Sequence, residues 1–181
     1  LDADLVIAEV GAWSNPLSPK DDERKTAMEK CKAGLNLADR IGAKCCVNIT
    51  GSRGPKWDGP SELDMTPQTF EMIVETTREI IDAVNPKRSF YTLEGMPWSY
   101  PAGPDSCLDL MRAVDRKGFA MHLDPVNWVS SPQRYFNNGA LIRECFEKLG
   151  QWVVSCHAKD IILHHQAALH FDEIIIGEGV M

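Results

Sequence analysis

Five short β-rich runs, each but the last followed by a stretch of helical periodicity, restrict the fold of this 181-residue chain more than any other feature. The runs are Leu5-Val6-Ile7-Ala8-Glu9-Val10, Cys45-Cys46-Val47-Asn48-Ile49, Phe90-Tyr91-Thr92-Leu93-Glu94, Phe119-Ala120-Met121-His122-Leu123-Asp124, and Trp152-Val153-Val154 leading to His157. Their ends fall about 30 to 46 residues apart, the length of a strand–helix–strand unit.

The intervening stretches carry helix signals. Ser18-Pro19-Lys20-Asp21 predicts a helix start, with Ser18 as cap, Pro19 in the first turn and Asp21 at the positive end of the dipole. Met28, Cys31, Leu35 and Ala38 form its apolar stripe, and Gly42 ends it. Thr66-Pro67 repeats the device for a second helix whose buried face is Phe70, Ile73, Thr77, Ile80 and Val84, stopped by Pro86. A third helix is predicted over about Asp105 to Val114. A fourth lies within Pro132 to Leu149, with Leu141, Ile142, Cys145, Phe146 and Leu149 inward. In the last segment, His164, His165 and His170 read as loop, and Ile174-Ile175-Ile176 as a short extended piece broken by Gly177-Glu178-Gly179.

Alternation of this kind gives a parallel sheet buried under helices. Five strands suit either an open doubly wound sheet or most of a closed (β/α)8 barrel, which takes about 250 residues. The first strand begins almost at residue 1, and Met181 follows the last extended segment with no covering helix. The expectation is therefore one α/β domain over residues 1–181: a TIM (β/α)8 barrel, incomplete at both ends, its first and last strands outside the chain.

The net charge of −7 argues against a general nucleic-acid surface. No apolar run approaches the roughly 20 residues of a membrane span. Six cysteines without a CxxC pair read as buried free thiols in a reducing compartment, and a cytoplasmic location is expected. Cys156 and His157 are neighbours, but adjacent strand residues point to opposite faces, so they do not form a nucleophile–base pair.

Glu94, Asp124 and His157 each stand where a strand-like run gives way to a polar loop. In a parallel sheet all such ends lie on one face and converge. Two carboxylates and an imidazole suit one divalent ion of the Mn, Mg, Co or Zn kind, with structural polar contacts as the competing reading. His122 shares the inward side of Asp124, deeper, as a core hydrogen-bonding group or a substrate contact. Glu9 and Asn48 are expected to point to the mouth as substrate contacts. Lys159 shares His157's side if extended geometry continues, suited to neutralise an oxyanion or phosphate. Asp160 is expected to orient a ligand or cap the following turn. Arg53 and Lys56, in the Gly/Pro-rich loop over 50–60, are placed to meet an anionic substrate. Trp13, Trp57, Trp98 and Trp128 lie in loops on the same side, where they would stack on a sugar or pack.

Three segments carry a resemblance: Thr92-Leu93-Glu94-Gly95-Met96-Pro97, His122-Leu123-Asp124-Pro125-Val126-Asn127 and Ser155-Cys156-His157-Ala158-Lys159-Asp160. In their order and spacing the chain resembles the sugar-phosphate isomerase/epimerase superfamily, the xylose-isomerase-like TIM barrels. That group includes ketohexose 3-epimerases, inosose dehydratases and DNA-repair enzymes of the endonuclease IV type. Ile176-Gly177-Glu178-Gly179 resembles the family's Gly-x-Gly loop before the seventh strand.

The resemblance implies that Glu94, Asp124 and His157 are three of four ligands to one divalent ion. The fourth is a Glu at the end of the eighth strand, beyond residue 181; Glu178 matches the loop glutamate, not that ligand. Asn127 stands where epimerases of the family often place a substrate-binding His. The implied activity is a metal-dependent isomerase or epimerase of a sugar, sugar phosphate or polyol, working through a metal-stabilised enediolate. Glu94 would be one acid/base and the final Glu the other, so the chain with Glu94 alone is expected to lack isomerase activity. The alternatives are a polyol dehydratase of the same fold, a metal phosphodiesterase of the endonuclease IV kind, and a non-catalytic barrel descendant. The implied partner is a small sugar or polyol, with neither nucleic acid nor membrane; a homo-oligomer is left open.

Overall fold

Strands β1 (Glu9–Gly11), β2 (Cys45–Ile49), β3 (Phe90–Glu94), β4 (Phe119–Leu123) and β5 (Val153–Cys156) pair in chain order, all parallel. The computed structural model describes residues 4–181; residues 1–3, the start of the expected 1–181 domain, lie outside the described residues. Helices α1 (Asp21–Ile41), α2 (Pro67–Val84), α3 (Pro104–Val114), α4 (Pro132–Phe136) and α5 (Asn138–Leu149) fill the connections. Proline opens α2, α3 and α4, where its missing N–H costs no helical hydrogen bond. Left-handed residues close the first three helices: Gly42, Asn85 and Asp115.

The sheet is strongly curled. In a flat sheet, three interstrand steps would hold β2 and β5 about 14 Å apart. Yet the short side chains of Cys45 and Ser155 meet at 3.1 Å. The five strands therefore form a half-barrel, an incomplete TIM barrel. Its outer face packs on the helices in two clusters. Cys46, Tyr91 and Leu93 meet α1 and α2 through Cys31, Leu35, Ile73 and Ile80. Met121 and Leu123 meet α3 and α5 through Cys107, Leu141, Cys145 and Leu149. Each of the Leu, Ile and Met side chains among these stabilises the fold by roughly 1.5–3 kcal/mol relative to exposure.

The inner face follows from register. Ile49 pairs with Glu94, and Glu94 with His122, so these three point inward together. A bulge between Met121 and His122 sets Ser155, not Val154, opposite His122. That extra residue turns Ser155, and by alternation His157, to the inside. The backbone N–H of His157 still donates to Leu123 O at 3.0 Å, extending the pairing one step beyond β5.

Several expectations need correction. The first strand is only Glu9–Gly11, and Leu5, Val6 and Ile7 are exposed rather than buried strand residues. Among the described residues β1 has β2 as its one partner strand, so the run is covered on one side only. Ser18 does not cap α1; Lys20 holds that position, while Ser18 Oγ accepts from Lys20 N and donates to Glu23. The fourth helix is split at Asn137, and Phe146 is exposed, because α5 turns only Leu141, Cys145 and Leu149 to the core. The six cysteines are free, five of them buried and Cys156 exposed. Among the described residues no helix is long and apolar enough to cross a membrane.

His164, His165 and His170 lie in a loop as expected, and that loop joins the strands of an antiparallel ribbon, β6 (Asp160–Leu163) and β7 (Phe171–Ile174); the extended piece expected at Ile174-Ile175-Ile176 is β7, which ends at Ile174. Ile161, Leu163 and Phe171 turn one face of it onto the core. Asp160, the first ribbon residue, is buried and gathers the chain end. Its carboxylate accepts from the backbone N–H groups of Ile161, Gly177, Gly179 and Met181 at 2.9–3.0 Å. Gly179 is required by contact: a Cβ there would lie 2.2 Å from Asp160 Oδ1. The four donors, Met181 first, hold the Asp160 carboxyl down at about 2. A depressed acid stabilises the folded state above its unfolded value and loses that effect as pH falls through its folded one. Hydrogen exchange of the Gly177, Gly179 and Met181 amides is accordingly expected to be slow near neutrality and to lose protection on titration toward pH 2. In Asp160→Ala these amides are expected to be unprotected, exchanging at the intrinsic rate at every pH.

Candidate metal centre

At the open ends of β3, β4 and β5, Glu94, Asp124 and His157 come together as their strand positions predict. One donor atom from each lies within 4.8 Å of the others. His157 Nδ1 is 3.6 Å from Glu94 Oε1 and 3.7 Å from Asp124 Oδ2. Glu94 and Asp124 are buried, and His157 is partly exposed at the rim. Nδ1 of His157 and both oxygens of Asp124 are buried without a hydrogen-bond partner among the described residues. Buried polar atoms are almost always satisfied; Lys159 meets Asp124 Oδ2 as an ion pair, and His157 Nδ1 and Asp124 Oδ1 are left without a partner. Two carboxylates and an imidazole are a donor set that a divalent ion takes.

The surroundings hold the donors in place. Glu9, on β1, places Oε1 3.2 Å from His157 Nε2. A proton held on Nε2 by this carboxylate leaves the Nδ1 lone pair facing Glu94 and Asp124. Glu9 Oε2 lies 3.3 Å from His122 Nδ1, and that nitrogen is 2.7 Å from Ser155 Oγ. His122 is wholly buried and its ring stands edge-on to His157, with centroids 4.2 Å apart. Asn127 Nδ2 donates to Glu94 Oε1 at 2.8 Å and fixes the carboxyl plane. Lys159 Nζ is 2.8 Å from Asp124 Oδ2 and 2.8 Å from Glu173 Oε1. With Asp124 this is an ion pair rather than a well-aimed hydrogen bond, since Oδ2 has no directed partner.

The electrostatics follow from these distances. Burial pushes the Glu94 carboxyl up to about 7, and the neighbouring Asp124 carboxylate adds to it. Burial brings His122 down to about 4, helped by His157, so its imidazole is neutral near pH 7. For Lys159, burial works against the ammonium, but the contacts with Asp124 and Glu173 outweigh it and raise its pKa.

Other expected site residues lie elsewhere. Asn48 faces α1, not the mouth: it binds the backbone of Ser14 on both sides of its amide and donates to Cys31 Sγ. Register explains this, since Ile49 is the inward residue and Asn48 one step before it must point out. Arg53 reaches the start of α2, donating to Thr69 Oγ1 and Gln68 Oε1. Its loop is organised by buried Asp64, which accepts from Ser52 Oγ and Arg53 N. Lys56 pairs with Asp58 in that loop. Asp160 is an anchor of the chain end, as described. Trp128 is fully buried, donating to Pro101 O, and belongs to the core. Trp13 is 38% exposed and lies over Gly11, where a Cβ would come 2.5 Å from Nε1. Gly11 is two residues beyond Glu9, so this indole sits at the rim above the inward side.

A curled parallel sheet with an acidic, histidine-bearing cluster at its C-terminal strand ends is the architecture of an incomplete α/β barrel. The family model described as xylose isomerase-like TIM barrel matches residues 2–181, and the chain belongs to that family. A search of curated proteins finds no match. Among solved structures, a xylose isomerase-like TIM barrel protein from Mycobacterium smegmatis in complex with magnesium aligns with a TM-score of 0.72 and 15% identity, over 99% of this chain and 60% of that one. The probable 3-DHS dehydratase AsbF from Bacillus anthracis aligns at 0.67 and 21% identity, over 88% and 53%. D-psicose 3-epimerase from Clostridium cellulolyticum H10 aligns at 0.57 and 18% identity, over 81% and 48%. The chain thus spans between half and three-fifths of the first two and just under half of the third. Solved members of the fold include epimerases, a dehydratase and an endonuclease IV, mostly enzymes.

Sequence reasoning missed Ser155, Cys45 and Glu173, which complete the polar lining. The bulge that turns Ser155 inward leaves no trace in composition. Glu173 stands in β7, just ahead of the extended piece expected at Ile174-Ile175-Ile176.

Glu94 yields a pH test. An acid whose folded value is raised costs stability once pH passes its unfolded value, and the full cost is present above the folded one. From the ordinary carboxyl value of 4.5 to about 7, that cost is on the order of 3 kcal/mol at pH 8. Without added metal, Glu94→Gln is therefore expected to melt higher than the parent by a margin that grows from pH 5 to pH 8. A constant or shrinking margin would show that Glu94 ionises freely.

Proposed function

We propose that Glu94, Asp124 and His157 hold one divalent ion, Mn, Mg, Co or Zn, in an isomerase or epimerase acting on a sugar, sugar phosphate or polyol. The observation that carries this reading is the Glu94 carboxyl. It is buried beside Asp124, is fixed through Oε1 by Asn127, and shares a cluster of donor atoms with Asp124 and His157 at the strand ends. A carboxylate held in place beside the substrate is what removal of a carbon-bound proton needs. The bound ion would supply Lewis-acid polarisation of the neighbouring oxygens of a hydroxy-ketone or aldehyde.

The remaining roles are assigned to the chain's own groups. Asn127 holds Glu94 Oε1 and leaves Oε2 to take the proton. Glu9 keeps the His157 proton on Nε2. Lys159, beside Asp124, is placed to meet an oxyanion or phosphate of the substrate. Trp13 covers the rim. Glu9, Glu94, Asp124 and Glu173 make the mouth acidic, which favours a small polyhydroxylated substrate over a nucleic acid. The free thiols fit a reducing, cytoplasmic setting. A dehydratase is the second reading, favoured by the likeness to the probable 3-DHS dehydratase, and it would use the same base and ion.

Epimerisation takes two bases on opposite faces, whereas exchange of a carbon-bound proton takes one. The chain is expected to bind Mn2+ in calorimetry, with Asp124→Ala and His157→Ala weaker by about 100-fold or more. With Mn2+ in D2O it is expected to exchange the proton beside the carbonyl of a ketohexose, and Glu94→Gln to abolish that exchange. Equal Mn2+ affinity in parent and variants contradicts the ligand assignment. Exchange that survives Glu94→Gln contradicts the base.

A further inference from the structure

We propose that the outer face of the β6–β7 ribbon is a second metal site, in which His164, His170 and Asp172 bind a borderline divalent ion of the Zn2+ kind. The ribbon register pairs Ile162 with Asp172 and Leu163 with Phe171. His164 N then donates to His170 O at 3.0 Å, so these two histidines stand opposite each other at the next position. Side chains alternate along a strand, which puts His164, His170 and Asp172 on one face. Ile161, Leu163 and Phe171 take the other face and seat the ribbon on the core. The donor face is left free, with side-chain exposures of 42%, 51% and 55%.

The three side chains already converge. Asp172 Oδ2 is 2.8 Å from His164 Nε2, and Oδ1 is 3.1 Å from His170 Nε2. The imidazole centroids are 4.9 Å apart, and one donor atom from each residue falls within 4.8 Å of the others. The turn is fixed by its own backbone, with Gln166 N donating to His164 O. Two imidazoles and one carboxylate prefer a borderline ion such as Zn2+ to Mg2+ or Mn2+, and three protein ligands leave water the fourth position of a tetrahedron. This donor set shares no residue with the Glu94–Asp124–His157 centre and is softer than it. The site would clamp the two ribbon strands together at the turn.

Zn2+ is the probe, and the imidazole C–H resonances of His164 and His170 are the readout, because they report this site whether or not the central one binds. Titration of Zn2+ into the full chain is expected to shift both resonances together to a saturating end point. In His170→Ala the His164 response is expected to move to roughly tenfold or higher Zn2+ concentration, with the His157 response unchanged. These side chains are exposed, and unchanged amide resonances outside the ribbon check the variant's fold. No shift of His164 and His170 by ten equivalents of Zn2+, or an unchanged His164 midpoint in His170→Ala, would overturn the proposal.

Discussion

Two buried carboxyl groups at the ends of adjacent strands, Glu94 and Asp124, are the constraint around which the inner face of this half-barrel is arranged. Bringing like charges together inside a protein is costly, and the cost must be met by protonation or by nearby cations. The chain uses both. Glu94 holds a proton up to about pH 7, and Lys159 stands against Asp124. His157 faces the pair with an unpartnered nitrogen. A divalent ion held by Glu94, Asp124 and His157 would supply the remaining positive charge.

The rest of the inner face supports this arrangement from behind. Curling brings β1 and β2 against β5, so Glu9 reaches His157 and His122, and Cys45 reaches Ser155. The contact between Glu9 and His157 spans the sheet from its first strand to just past its last, tying curvature and site geometry to each other. Outside, the helices supply the apolar energy that keeps the sheet curved. Beyond β5, Asp160 plays a comparable part for the chain end, gathering it through four backbone hydrogen bonds to one carboxylate.

Much of this was legible in the residues. β2 and β3 begin and end where their β-rich runs do, and the inward triad followed from three strand ends of the same character. What failed depended on one-residue parity or on distant partners. Asn48 was expected at the mouth, but the strand-end residue is Ile49, and a single step reverses the face. Asp160 and Arg53 were read as ligand contacts because charge at a strand end or in a βα loop looks functional. Their partners, backbone amides of residues 177–181 and the start of α2, are remote in sequence or invisible to pattern. The ribbon was missed because its β-rich halves flank a polar turn of three histidines. Leu5, Val6 and Ile7 have strand composition, but among the described residues β1 begins only at Glu9.

The central claim is that Glu94, Asp124 and His157 share one cation. A crystal grown with Mn2+ and measured at the manganese absorption edge tests it most directly. The account predicts an anomalous peak bonded to Nδ1 of His157 and to a carboxylate oxygen from each of Glu94 and Asp124. An ordered site without that peak, with Lys159 still paired to Asp124 at saturating Mn2+, would contradict it.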